Sequence, residues 1–473
     1  MIGLFIILQG VFVVIRSPST VHSQMPSSND GQIVNPLIEQ RADPWVYLHT
    51  DGYYYFTASV PEYDRIEIRR AMTIQDLAAA VPVVVWEKHP EGIMSKHIWA
   101  PEIHHIDGKW YIYFAAGRED EAFAIRIYVL ENEAENPLEQ SWVEKGEVKT
   151  RWDSFALDAT SFEHQGVRYL VWAQHDPDIL GNTNLYIAAM SDPWTIIQPQ
   201  VMISTPEFEW ERRRFLVNEG AAVLKRNGRI YITYSASATN HYYAMGLLTA
   251  ADDSNLLDPA SWSKSPDPVF ATNETTGQYG PGHNSFTVSP DGDDILIYHA
   301  RNYRDIAGDP LYDPNRHTRA QRLYWNPDGT PNFGIPVPDG VHPVRISTET
   351  GFIRHDGDSI VIDANVSDIA DSQFQIVSGL ADSDAISLES INRPGSFLRH
   401  RDGGIWLDEN DDSDEFANEA TWIEHPGLAD STAVSFEAYS LADQYIKQHG
   451  NLLILESIST NADRANATFG EEF

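Results

Sequence analysis

The 473-residue chain contains no cysteine. Disulfides, thiol nucleophiles and thiolate metal sites are therefore excluded. Basic residues are scarce, with 33 Lys and Arg against 69 Asp and Glu, a formal net charge of −36. Such a chain is repelled by nucleic acid and anionic membranes, so a neutral substrate suits it better than an anionic one. Long apolar runs are also missing. Ile2 to Ile15, within "MIGLFIILQGVFVVIRSPSTVHSQ", is short for a membrane span and suits the core of a signal peptide over residues 1–23. No Lys or Arg precedes that run, and Arg16 follows it. The expectation is a secreted, periplasmic or extracellular protein with no membrane attachment after signal removal. Helical periodicity is weak, and "AMTIQDLAAAV" is its best short candidate. Aromatic residues are plentiful, with 13 Trp and 21 Tyr. Flat rings suit sheets and the C–H faces of sugars.

Five stretches share one layout: "DPWVYLHTDGYYYFTAS", "WAPEIHHIDGKWYIYFAAG", "DATSFEHQGVRYLVWAQ", "EGAAVLKRNGRIYITYSAS" and "HNSFTVSPDGDDILIYHAR". Each has a lead residue, a short apolar strand, a turn carrying glycine and a second apolar strand. Asp-Gly and Asn-Gly between such strands are strong hairpin signals. The turn glycines are Gly52, Gly108, Gly166, Gly228 and Gly292. The lead residues are Asp43, Trp99, Asp158, Glu219 and His283, eight or nine residues ahead of their glycines. All-β units repeating every ~60 residues fit four-stranded blades around an axis. The innermost strands would then start at one mouth of the axial channel and bring the five leads into one pocket. A plain β-rich domain with acids at its turns is the simpler alternative, since Asp is common there.

Two opposed carboxyls are the minimum for hydrolysing a glycosidic bond, one protonated donor and one ionised base or nucleophile. A third acid nearby raises the donor's pKa by repulsion. Glu219, among apolar residues in "FLVNEGAAVL", suits the acid. Asp43 in "RADPWVY" suits the base, and Asp158 in "SFALDATSF" the modulator. Trp99 offers a stacking wall for the sugar. His283 in "GPGHNSF" sits near the axis, where it could carry a central Ca²⁺ or Na⁺ through waters or serve as a hydrogen-bonded structural histidine. No cofactor is otherwise required, and no EF-hand spacing is present.

"RADPWVY", "WAPEIHHIDGKWYIYFAA", "LDATSF", "NEGAAVL" and "GPGHNSF" together resemble glycoside hydrolase family 43, the five-bladed propeller arabinofuranosidases, xylosidases and arabinanases. The resemblance implies a propeller catalytic domain over residues 33–340 that works by inversion. It implies Asp43 as general base, Asp158 as pKa modulator and Glu219 as general acid. In "HTRAQRLYW", Arg319 resembles the family arginine that hydrogen-bonds the sugar.

Near residue 340 the character changes. "PVPDGVHPVRIS" reads as a linker, and three further repeats follow over residues 345–473. Threefold all-β repetition of this length argues for a β-trefoil. "SINRPGSFLRH", "HPGLADSTAVSFEA" and "NATF" resemble the arabinose-binding modules of carbohydrate-binding module family 42. That family pairs a His with an Asp in each repeat. Here the pairs are His355 with Asp371, His400 with Glu419, and Gln448 with Asn466. The third pocket therefore looks weakened, and the second departs from the pattern.

The whole is expected to be a five-bladed β-propeller followed by a β-trefoil. The expected activity is a secreted, inverting exo-α-L-arabinofuranosidase, probing plant-wall arabinan (α-1,5 favoured) or arabinoxylan side chains as a monomer. A β-xylosidase or endo-arabinanase of the same family is the alternative within the class, and a non-catalytic lectin the alternative outside it. Retention of Asp43, Asp158 and Glu219 argues against the lectin, which has no use for an acid/base pair.

Overall fold

The computed structural model describes residues 32–139 and 142–473. The signal peptide expected over residues 1–23 lies outside the described residues. Five antiparallel sheets follow one another along the chain, four of four strands and one of three, each with consecutive strands as neighbours. They are the blades of a five-bladed propeller. The innermost strands are Ala42–Leu48, Lys96–Ile106, Ala156–His164, Asn218–Arg226 and Tyr279–Val288. Each turns into its neighbour at one of the five expected glycines, all at positive φ. In blades two to four the residue before the glycine, Asp107, Gln165 or Asn227, also has positive φ, the requirement of a tight two-residue hairpin.

A blade packs both faces against its neighbours. Its strands therefore carry continuous apolar runs rather than alternation. In blade two every residue from Trp110 to Gly117 is buried. The ring is closed by the segment ahead of blade one. Leu37 and Ile38 pair with Thr318 on the third strand of blade five, and the Asn35 side chain both donates to and accepts from the Ala320 backbone. An apolar cluster with Val46 and Phe56 of blade one and Ile297 and Ala320 of blade five seals the same seam.

The C-terminal unit spans strands from Arg345 to Glu472 in one paired set. Its core holds Phe374, Trp422 and Phe469, one from each repeat and each completely buried. This is the trefoil: three repeats each supply one large ring to a shared centre. It packs directly on the propeller. The Arg345 guanidinium lies 3.6 Å from the Phe352 ring centre and 4.9 Å from that of Tyr324, while Arg322 reaches Asp293 at 2.9 Å and Glu472 at 3.4 Å.

The trefoil holds one strained ionisation. Glu471 has a buried carboxyl oxygen with no hydrogen-bond partner. Burial first, and the facing charge of Glu424 second, push its pKa up to about 7. A carboxyl whose folded pKa is raised contributes no penalty below its unfolded pKa. The penalty then grows between the unfolded and the folded value and is complete above the latter. Glu471→Gln should therefore melt at a higher temperature than the parent at pH 8, with the gain vanishing below about pH 4. Equal melting temperatures at both pH values in scanning calorimetry would contradict this.

Candidate active site

Every innermost strand starts with a bulge. The ladder to the second strand slips between Ala42 and Trp45, Trp99 and Glu102, Leu157 and Thr160, Glu219 and Ala222, and Gly282 and Ser285. One residue in each slip is left-handed: Asp43 (φ 53), Ala100 (φ 43), Asp158 (φ 55), Gly220 (φ 58) and His283 (φ 42). Left-handed backbone is costly for a residue with a Cβ and is held only by surroundings that over-determine it. A bulge re-aims its side chain out of the ladder. Asp43, Asp158 and His283 are thus equivalent positions. Trp99 and Glu219, expected in register with them, stand one residue ahead of their bulges, and Ala100 and Gly220 take the equivalent places.

The bulged backbone is captured by the preceding blade. The Asp43 N–H donates to His299 Nδ1 of blade five at 3.0 Å, and the Ala100 N–H to Ser59 Oγ of blade one at 2.7 Å. The Gly220 N–H donates to Asp158 Oδ2 of blade three at 3.0 Å, and the His283 N–H to Ser235 Oγ of blade four at 2.7 Å. Gly220 could not be larger, because a Cβ there would sit 3.0 Å from the His283 ring.

Asp43 is buried in a polar cage. Ser59 Oγ donates to Oδ2 at 2.6 Å and Arg316 Nη1 to Oδ1 at 3.2 Å. His283 Nδ1 lies 3.2 Å and His299 Nδ1 3.4 Å from Oδ1. Burial alone would raise the Asp43 pKa. The Arg316 charge, then the two histidines and Ser59, override it and hold the carboxyl well below its ordinary range. Glu219 is governed by the opposite balance. Burial pushes it up to about 7, and only the Tyr243 hydroxyl, donating to Oε1 at 2.9 Å, pulls it back appreciably before the charges of Asp43 and Arg316 enter. Asp158 is also raised, by burial first and then by repulsion from Glu219 and Asp43. Asp158 and Glu219 therefore titrate as a pair that keeps a proton toward neutrality. One firmly ionised carboxylate and one proton-bearing pair share the pocket. That is the division of labour acid/base chemistry needs.

His283 joins the pocket, its Nδ1 3.2 Å from Asp43 and 3.9 Å from Asp158. Among the described residues no group of three or more His, Asp or Glu side chains could hold a metal ion. Trp99 is 7% exposed, covered by Tyr63, His97 and Phe123. The rings of this cluster open to solvent are Phe123 and Tyr312, more than half exposed. Arg319 does not reach the pocket. It is fully buried with Asp339 at 2.5 Å, and Arg316, three residues earlier, meets Asp43 instead.

Sequence reasoning missed Arg316, Tyr243 and His299. Arg316 also donates to the Tyr63 hydroxyl at 3.0 Å. Tyr243 stacks on His299 with ring centres 5.6 Å apart and planes 6° from parallel. Its ring occupies the space that a side chain on Gly282 would fill. None of these contacts has a local sequence signature.

In the trefoil, His355 Nε2 lies 3.2 Å from Asp371 and 2.9 Å from Asn392 Oδ1, and Asn392 Nδ2 donates to Asp371 at 2.8 Å. In the second repeat His400 Nε2 contacts Ser440 Oγ at 2.8 Å, while Glu419 is paired with Arg399 at 3.1 Å. In the third, Gln448 donates to Thr350 Oγ1 at 2.7 Å. The His–carboxylate contact is present in the first repeat and diverted in the second.

Two variants test the electrostatics. Tyr243→Phe removes the hydrogen bond that favours ionised Glu219, so the alkaline limb of kcat/KM should move up by about half a unit to one unit. Arg316→Gln removes the strongest charge holding Asp43 ionised, so the acidic limb should move up and kcat/KM fall about 10²-fold. Unmoved limbs in pH–rate profiles of both variants would break this assignment.

Comparison with known proteins agrees with this geometry. The family model for glycosyl hydrolases family 43 matches residues 33–331, and that for the alpha-L-arabinofuranosidase B domain matches residues 345–470. The chain is 53% identical over 476 residues to a Streptomyces avermitilis protein named extracellular exo-alpha-(1->5)-L-arabinofuranosidase, covering 100% of this chain and 99% of that one. It is 50% identical over 452 residues to alpha-L-arabinofuranosidase 43 of Humicola insolens, covering 92% and 94%. The crystal structure of an alpha-L-arabinofuranosidase from Lactobacillus brevis superposes with a TM-score of 0.64 at 59% identity, over 65% of this chain and 98% of that one.

Proposed function

This chain belongs to the glycosyl hydrolases of family 43, and from that premise we propose that it is an extracellular, inverting exo-α-(1→5)-L-arabinofuranosidase. The observation that carries the reading is the pocket formed by the bulges, where Asp43 is held ionised and Glu219 is raised to about 7. In this reading Glu219 protonates the glycosidic oxygen while Asp43 takes a proton from the water that attacks the anomeric carbon from the opposite face. Asp158 keeps the proton near Glu219 by repulsion and fixes the strand that carries it, through its bond to the Gly220 N–H. Arg316 supplies the charge that keeps Asp43 ionised. The reaction consumes one water and calls for no cofactor. The substrate of this reading is plant-wall arabinan, with the trefoil pocket of His355, Asp371 and Asn392 as its second hold on arabinofuranosyl residues.

Four outcomes are expected. Arabino-oligosaccharides should yield L-arabinose alone, and the first product seen by proton NMR should be the β-anomer. A ladder of shorter oligomers, or retained α configuration, would overturn the exo or the inverting reading respectively. Asp43→Asn and Glu219→Gln should each lower kcat by about 10³-fold or more with the fold intact by circular dichroism. In the parent, kcat/KM should fall as pH rises through about 7, where Glu219 loses its proton. His355→Ala should weaken retention on insoluble arabinan while leaving small-substrate kcat/KM unchanged; unchanged retention would remove the first trefoil pocket from binding.

A further inference from the structure

Arg212, Arg213 and Arg214 are consecutive and all exposed. They stand on the loop between Ser204 and Asn218, directly ahead of the strand that carries Glu219. The loop is anchored from below. Glu211 is fully buried, accepting from Asn218 Nδ2 at 3.0 Å and from the Tyr234 hydroxyl at 2.8 Å, with Lys264 at 2.7 Å. The Arg213 N–H donates to Ser237 Oγ at 2.9 Å, its carbonyl accepts from the Ala238 N–H, and its guanidinium lies over the Tyr242 ring. The segment it grips, Ser237 to Tyr243, also brings the Tyr243 hydroxyl to Glu219. The three arginines thus stand on the segment that leads directly into the Glu219 strand.

Acids outnumber bases two to one, yet the ion pairs of this loop run from Lys264 to Glu207 and Glu211. Among the described residues Arg212, Arg213 and Arg214 join none. Arg214 is also left-handed at φ 69, and Phe215 beside it is 53% exposed. Three adjacent like charges repel one another, and a neutral sugar gives nothing to offset that. A guanidinium offers a planar fork of donors that matches a carboxylate.

We propose that Arg212, Arg213 and Arg214 bind uronate carboxylates of an acidic polysaccharide to which the arabinofuranosyl chain is attached. The −36 charge of the whole chain does not forbid this, because at 0.15 M salt charges farther than about 8 Å apart are largely screened. The cleavage pocket takes a neutral sugar while the rim reads what lies beside it. The identity of the attached sugar rests on the arabinofuranosidase reading; the carboxylate binding does not.

The test is calorimetric titration of the full chain with oligogalacturonate at 0.15 M salt. The parent should bind, Arg212→Gln/Arg213→Gln/Arg214→Gln should bind about tenfold more weakly, and the corresponding triple Lys variant should stay within about threefold of the parent. Arg212→Gln/Arg214→Gln, which leaves the Arg213 contact with Tyr242 in place, should bind oligogalacturonate more weakly and hydrolyse neutral arabino-oligosaccharides like the parent. No binding by the parent, equal binding by the Gln variant, or displacement by sulfate at equal charge concentration would overturn the proposal. Failure of the arabinofuranosidase reading would show separately, as binding in the titration without release of L-arabinose.

Discussion

The active site depends on one repeated interaction: a side chain of one blade takes the N–H of a left-handed bulge residue on the next. His299 holds Asp43, Ser59 holds Ala100, Asp158 holds Gly220 and Ser235 holds His283. A bulge leaves a backbone donor outside the ladder, and an unsatisfied buried donor costs about 1–3 kcal/mol. Each capture removes that cost and fixes the direction in which the bulge side chain leaves the strand. Three captors also bear on the acids themselves, His299 lying 3.4 Å from Asp43 Oδ1. Ser59 donates onward to Asp43, and Asp158 is one of the three acids. Structural and chemical roles are therefore inseparable at these positions.

The electrostatics follow from who the neighbours are. Asp43, Asp158 and Glu219 share one buried volume, yet only Asp43 has a cation. Arg316 is spent on it, with the Tyr63 hydroxyl taking its other nitrogen. The remaining two carboxyls have donors, Tyr243 and the Gly220 N–H, but no charge of their own to balance them. Low dielectric then makes their joint ionisation expensive, and the pair retains a proton. One arginine placed against one of three acids separates base from acid.

Much of this was legible in the sequence, and the misses have physical causes. The hairpin glycines and the residues eight or nine ahead of them located Asp43, Asp158 and His283, because a tight turn fixes register. The count slipped by one at Trp99 and Glu219, because the turns of blades one and five, closed by His49 with Tyr53 and Ser289 with Asp293, hold one residue more than those of blades two to four. Glu219 was still found, since its apolar surroundings announced a raised pKa. The motif pointed to Arg319 and nothing local marked Arg316; the loop ahead of His317 decides which arginine meets Asp43, and its path is set by tertiary contacts. Tyr243 and His299 were invisible because stacking between strands of different blades leaves no local trace. In the trefoil the repeats were plain, but the diversion of Glu419 to Arg399 depends on side-chain geometry that composition does not carry.

The seam between Asn35 to Ile38 and blade five has a consequence for synthesis. Asp43 belongs to the first blade made, whereas His299 and Arg316, which hold its backbone and its charge, belong to the last. Until residues 317–322 have emerged and met the first segment, the base has neither its orientation nor its counter-ion. The surroundings of Asp43 are therefore complete only when the circle of blades shuts.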